Sequence, residues 1–230
     1  MSRRSRFTRV KGKLMLEPFW IIFSSFLATL SGAIVPGPVF ALVLSESIKS
    51  GRVAGPLIIL GHLLIEGVII LMVFMGLQPI LQSEEIRVII GYVGGAMLIL
   101  VGLKLILDSL KVKAEDTLNI RDIIRRERTP AHRLIFLGFL TSCSNPYFFL
   151  WWLATGLPVM ANSISIAGTL GFISFLVGHA AADLLWFSFV GYSIHEGKRI
   201  LNEKALRSIL FGSSLFLIFF AVYIIFSVSF

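Results

Sequence analysis

The chain has 230 residues, 56% of them hydrophobic, with a net charge of +8 and one cysteine. Its mean hydropathy is +0.88. Soluble domains hold about 45–50% apolar residues even on a count that includes glycine, so this composition excludes a soluble globular domain and a disordered chain. The lone Cys143 excludes an internal disulfide and a cysteine-based metal site.

A helix needs about 20 apolar residues to cross about 30 Å of hydrocarbon. Six segments meet that need, near 19–44, 53–77, 86–107, 134–159, 166–192 and 209–230. They are continuously apolar, without the period-two alternation of a membrane β-barrel. The expected fold is therefore an all-α polytopic membrane protein with six transmembrane helices.

A basic tail, residues 1–18, precedes the first span. The first span contains "SGAIVPGPVF", where Pro36 and Pro38 break the helix and Gly37 loosens the backbone between them. The second carries "GHLLIE", which sets His62 and Glu66 four residues apart on one helical face. The third carries "GYVGG", a G-x-x-x-G of Gly91 and Gly95 that permits close helix contact. Residues 108–133 read "DSLKVKAEDTLNIRDIIRRERTPAHR", a charged linker with room for a short surface helix at 120–126. The fourth span contains "SCSNPYFF", with Asn145 and Pro146 at a second break, and then Trp151 and Trp152, read as packing and interface anchors. The fifth carries "GHAAAD", with His179 and Asp183 spaced like the first pair. Glu46 and Asp108 fall at span ends, where exposure to headgroups is expected.

Basic residues set orientation. Lys49 and Arg52 lie in one loop, Lys111, Lys113, Arg121, Arg125, Arg126, Arg128 and Arg133 in the linker, and Lys198, Arg199, Lys204 and Arg207 in a third loop. With six spans these loops share a side, which is then cytoplasmic. The basic tail opposes this count, and a translation start at Met15 reconciles the two. The tail and "SGA" also resemble a signal peptide, but cleavage there would remove half of a span that has a later counterpart.

Each half has the same order: a proline break, a His-carboxylate helix, then a plain apolar helix. Three spans per half make the second copy inverted relative to the first, an architecture that places transporter sites near the midplane between repeats. The expected division is 19–107 for the first repeat and 134–230 for the second. A carboxylate at a membrane helix centre costs about 2.5–3.5 kcal/mol on insertion scales, so Glu66 and Asp183 are expected to face protein or water. Histidine titrates near neutral pH, and a His-carboxylate pair can take up and release a proton as access alternates. His62, Glu66, His179 and Asp183 are therefore read as a proton-coupling and substrate site with Pro36, Gly37, Pro38, Asn145 and Pro146. The alternative use of the four ionisable side chains is a divalent-cation site for metal export, since imidazole and carboxylate suit such ions. No nucleophile-base constellation argues for an enzyme, no cofactor is implied, and the basic loops read as lipid-facing rather than nucleic-acid-binding.

The stretch "SGAIVPGPVFALVLSESIKSGRVAGPLIILGHLLIEGVI" resembles the start of a lysine exporter (LysE-type) translocator, and "GFLTSCSNPYFFLWW" resembles the Asn-Pro span of that family. The resemblance covers nearly all of the chain from Met15. It implies six helices in an inverted repeat, dimers in the cell (plasma) membrane, and export of amino acids or similar small solutes by the proton-motive force. Pro36, Gly37, Pro38, Asn145 and Pro146 match the family's motifs. A histidine paired with a carboxylate in both halves is a departure from it, as is the long charged loop.

Overall fold

The fold is taken from a computed structural model that describes residues 3–35, 37–77, 83–111, 128–197 and 203–229. Regular structure among them is helical: α1 (Arg3–Ala33), α2 (Pro38–Ser50), α3 (Ala54–Phe74), α4 (Glu84–Lys111), α5 (Ala131–Cys143), α6 (Pro146–Trp151), a π-helical turn (Trp152–Gly156), α7 (Leu157–Gly197) and α8 (Glu203–Ser229). Among the described residues, three stretches are long and apolar enough to cross a membrane: Leu16–Ala33, Ala54–Phe74 and the run Pro146–Gly197. Shorter apolar helical stretches, Gly91–Lys104, Ala131–Cys143 and Phe211–Phe226, fall in the other predicted spans. The surface helix expected at 120–126 and Pro36 lie outside the described residues.

Both expected breaks divide their spans into separate helices. α1 ends at Ala33 and α2 starts at Pro38, after the extended Gly37 (φ −141°, ψ −176°). Proline suits a first helical position, because its fixed φ is already helical and its missing N–H has no partner to lose. The second break repeats this start. α5 ends at Cys143, α6 begins at Pro146, and Asn145 Oδ1 accepts the Tyr147 N–H at 3.1 Å. Asn145 is thus an N-cap. A third break was not expected: at Ala167 (φ −136°, ψ 19°) and Gly168 (φ +57°, ψ −134°) the backbone leaves the helix, so α7 is two helical pieces. The left-handed φ is one that glycine adopts without penalty.

The chain divides into two compact units. One comprises Met1–Val35 and Leu150–Trp186, the other Pro36–Phe149 and Phe187–Phe230. Each therefore draws on both halves of the sequence.

In the second unit α4 and α8 run antiparallel. A Cβ on Gly91 would meet Val228, one on Gly95 would meet Ile225, and one on Gly102 would meet Ile218, all within 2.7 Å. The G-x-x-x-G of the third span is thus spent on a helix of the same chain. Ala41, Leu98, Leu217, Ala221 and Ile224 form the core beside it. α3 and α5 approach more closely still. A Cβ on Gly61 would lie 1.9 Å from the Ile135 carbonyl oxygen, and one on Gly138 would lie 1.9 Å from that of Ile58. Glu46 departs from expectation. It is 1% exposed, because Lys49 Nζ (3.3 Å) and the Thr129 hydroxyl (2.7 Å) both donate to its carboxylate. Its neutralised, hydrogen-bonded state makes burial affordable where a headgroup position was expected. The side chain of Asp108 lies outside the described ones.

In the first unit α1 packs on the second piece of α7. A Cβ on Gly178 would lie 2.2 Å from the Ile22 carbonyl oxygen. Trp152 and Phe175 are each 1% exposed. Interior packing, not interface anchoring, therefore describes Trp152.

A hydroxyl-imidazole-carboxylate module in each unit

In the second unit α3 presents His62 and Glu66 on one face. Nε2 of His62 lies 3.2 Å from Glu66 Oε1, and the two side chains are 13% and 4% exposed. On its other edge His62 Nδ1 meets Ser142 Oγ of α5 at 2.7 Å. Phe148 stands edge-on to the imidazole, with ring centroids 5.1 Å apart. The first unit has the same arrangement. His179 Nε2 lies 3.6 Å from Asp183 Oδ2, with side chains 3% and 4% exposed. His179 Nδ1 meets Thr29 Oγ1 of α1 at 2.6 Å.

The backbone reason is the same in both places. A glycine immediately before each histidine lets its helix touch the partner backbone: Gly61 at Ile135, Gly178 at Ile22. In each case the hydroxyl residue follows that contact by two helical turns, from Ile135 to Ser142 and from Ile22 to Thr29. Contact without a side chain brings the imidazole within reach of the hydroxyl, and the i, i+4 spacing brings the carboxylate to its other nitrogen.

Hydrogen bookkeeping constrains the His62 pair. Ser142 has one hydroxyl hydrogen, which it donates to the Gly138 carbonyl at 2.9 Å. With its hydrogen so placed its oxygen accepts from His62 Nδ1–H, and with the other tautomer the hydroxyl donates to Nδ1 instead. If Nε2 and Glu66 both lacked a proton, two bare acceptors would face each other at 3.2 Å. With either tautomer of His62 a proton can lie between Nε2 and the Glu66 carboxylate 3.2 Å away, so the pair is built to hold and pass one. Around His179 the contacts are aromatic: Trp151, Trp152 and Phe175 have ring centroids 5.7, 5.3 and 5.4 Å from the imidazole.

Each pair offers one nitrogen and one oxygen donor within its own unit. Gly37 and Pro38 begin α2, and Asn145 and Pro146 begin α6. A groove of about 510 Å³ in the first unit, lined by Glu17, Trp20, Ile21, Asn162 and Ser163 among others, contains neither member of the His179 pair. Sequence reasoning did not select Thr29, Ser142, Trp151 or Trp152 as site residues. A signal for the first two exists in "IFSSFLAT" (22–29) and "IFLGFLTS" (135–142), which agree at four positions and end on a hydroxyl residue.

The LysE type translocator family matches residues 30–228 of the chain. A protein of Bacillus subtilis (strain 168) named "Putative amino acid efflux protein YcgF" is 25% identical over 204 residues, which cover 88% of this chain and 94% of that protein. No solved structure matches.

Proposed function

This chain belongs to the LysE type translocator family, and we propose that it exports amino acids or similar small solutes across the plasma membrane in exchange for protons. It is thus a membrane transporter rather than an enzyme. The amino-acid assignment draws on the printed name of its Bacillus subtilis relative. The proton assignment draws on the paired modules: a hydroxyl fixes one edge of each imidazole and a carboxylate occupies the other. That is the observation that carries the reading: the preceding glycine, the i, i+4 carboxylate and a hydroxyl partner recur around both imidazoles.

In this reading the two repeats, 19–107 and 134–230, are inverted about the 108–133 linker. The His62-Glu66 and His179-Asp183 pairs serve one pathway at the repeat interface. Gly37 and Pro38, in the motif that Pro36 opens, mark the start of α2, whose positive end favours an anionic group such as a substrate carboxylate, while Asn145 caps the start of α6 at Pro146. A proton moves between Nε2 and the facing carboxylate oxygen as access alternates, and the Ser142 and Thr29 hydroxyls hold each ring in register. The lipid bilayer and a second copy of the chain complete its partners.

The test is a proteoliposome flux screen under an imposed pH gradient, covering amino acids and divalent metals. Gradient-driven amino-acid flux that is lost in Glu66→Gln and Asp183→Asn supports the proposal. Flux of a divalent metal alone, lost on His62→Ala or His179→Ala, would replace it with metal export.

A further inference from the structure

We propose that Glu46, Lys49 and Thr129 form a latch that closes the basic end of the second unit. The charge count places the loops after α2, before α5 and after α7 on one side, and their described ends do meet. A Cβ on Gly51 would lie 3.2 Å from His195 Nδ1 and 3.5 Å from Arg128 Nη2. Within this end sits a buried ion pair that the transport chemistry above does not use. Lys49 Nζ donates to Glu46 Oε1 at 3.3 Å, and their side chains are 8% and 2% exposed.

Thr129 ties the segment before α5 onto this pair through two bonds. Its hydroxyl donates to Glu46 Oε2 at 2.7 Å, and its backbone N–H donates to Ser50 Oγ at 3.1 Å. Both acceptors, on Glu46 and Ser50, belong to the last turns of α2. That helix is a single 13-residue rod whose other end is the Gly37–Pro38 break. Releasing Thr129 would remove a tie on the last turns of a rod whose other end is the Gly37–Pro38 break.

Two features show that the closed arrangement is tight and not at rest in every detail. Ser47 is fully buried, and its hydroxyl has no hydrogen-bond partner among the described residues. It faces Gly191, where an added Cβ would come within 3.1 Å of its oxygen. Opening the latch would expose this hydroxyl to solvent. A buried ion pair on a helix end is costly to assemble, and breaking it by removing one partner is costlier still, so the pair can hold one arrangement over another. The latch itself does not depend on which solute is carried; its role as an access gate rests on the transporter reading.

The experiment uses the full chain in detergent and in liposomes, in a Cys143→Ala background with Ser47→Cys as reporter. Labelling by a maleimide reports how often water reaches the buried position. Thr129→Val, which removes a hydrogen bond to a charged group, is expected to speed labelling by about tenfold or more. Thr129→Ser is expected to restore the slow rate. Ser214→Cys on α8, also fully buried, is the control and should stay slow throughout. Equal labelling in Thr129→Val and the parent overturns the latch. So does faster labelling at both reporters, which would mean general loosening. Because the readout is labelling and not flux, its failure is distinguishable from failure of the proposed transport activity.

Discussion

Gly61→Ala perturbs the close crossing that positions the His62 module. The new Cβ would lie 1.9 Å from the Ile135 carbonyl oxygen and 2.7 Å from the Phe139 backbone nitrogen. Cβ atoms do not approach other heavy atoms closer than 3.0 Å, so α3 and α5 must part by about 1.1 Å, and backbone atoms cannot yield as a side chain can. The same movement takes the 2.7 Å bond between His62 Nδ1 and Ser142 Oγ to about 3.8 Å, beyond hydrogen-bond range. Overpacking of about 1–3 kcal/mol and the lost bond together predict a cost of about 2–4 kcal/mol. Gly67→Ala, on the same helix with nothing within 4 Å of the added Cβ, should be neutral or stabilising by up to about 1 kcal/mol. The assay is equilibrium unfolding in mixed micelles followed by circular dichroism. In the Gly61→Ala background Ser142→Ala should cost almost nothing further, because its bond is already broken. Equal stability of Gly61→Ala and Gly67→Ala, or full additivity with Ser142→Ala, would refute the reasoning.

The remaining outcomes use the same unfolding measurement. Ser142→Ala alone removes a hydrogen bond to a part-buried imidazole and should cost about 1–3 kcal/mol. Thr29→Val, which keeps the shape and removes the hydroxyl, should cost about as much in the first unit. Asn145→Ala removes the cap on the Tyr147 N–H and should cost about 0.5–2 kcal/mol, with Asn145→Asp or Asn145→Ser retaining most of it. Gly91→Ala should cost less than Gly61→Ala, because the atoms it meets belong to the Val228 side chain and not to backbone.

The apolar segments and both proline breaks were legible because they rest on local physics: side-chain transfer into lipid, and a residue that cannot continue a helix. The break at Ala167–Gly168 was not, since a lone glycine in a helical pattern is usually tolerated and only the left-handed φ of Gly168 reveals its use. Glu46 was misplaced because position in a span predicts exposure only when no partner arrives from elsewhere, and Thr129 lies 83 residues away in sequence. The His-carboxylate pairs were visible from spacing within one helix. Their hydroxyl partners were not, because a contact between helices leaves no spacing rule. The agreement of "IFSSFLAT" with "IFLGFLTS", which sets Thr29 and Ser142 at the same place, lies before the proline breaks that mark the repeat.

The most direct test of the account is proton counting during solute movement. Purified chain in liposomes containing a pH indicator would be given an outward gradient of the amino acid found in the flux screen. Wild type should move protons opposite to the solute, and Glu66→Gln with Asp183→Asn should abolish proton movement while leaving the protein folded. Solute flux with no accompanying proton movement in wild type, or unchanged proton movement in the double variant, would contradict the claim that these two modules carry the proton.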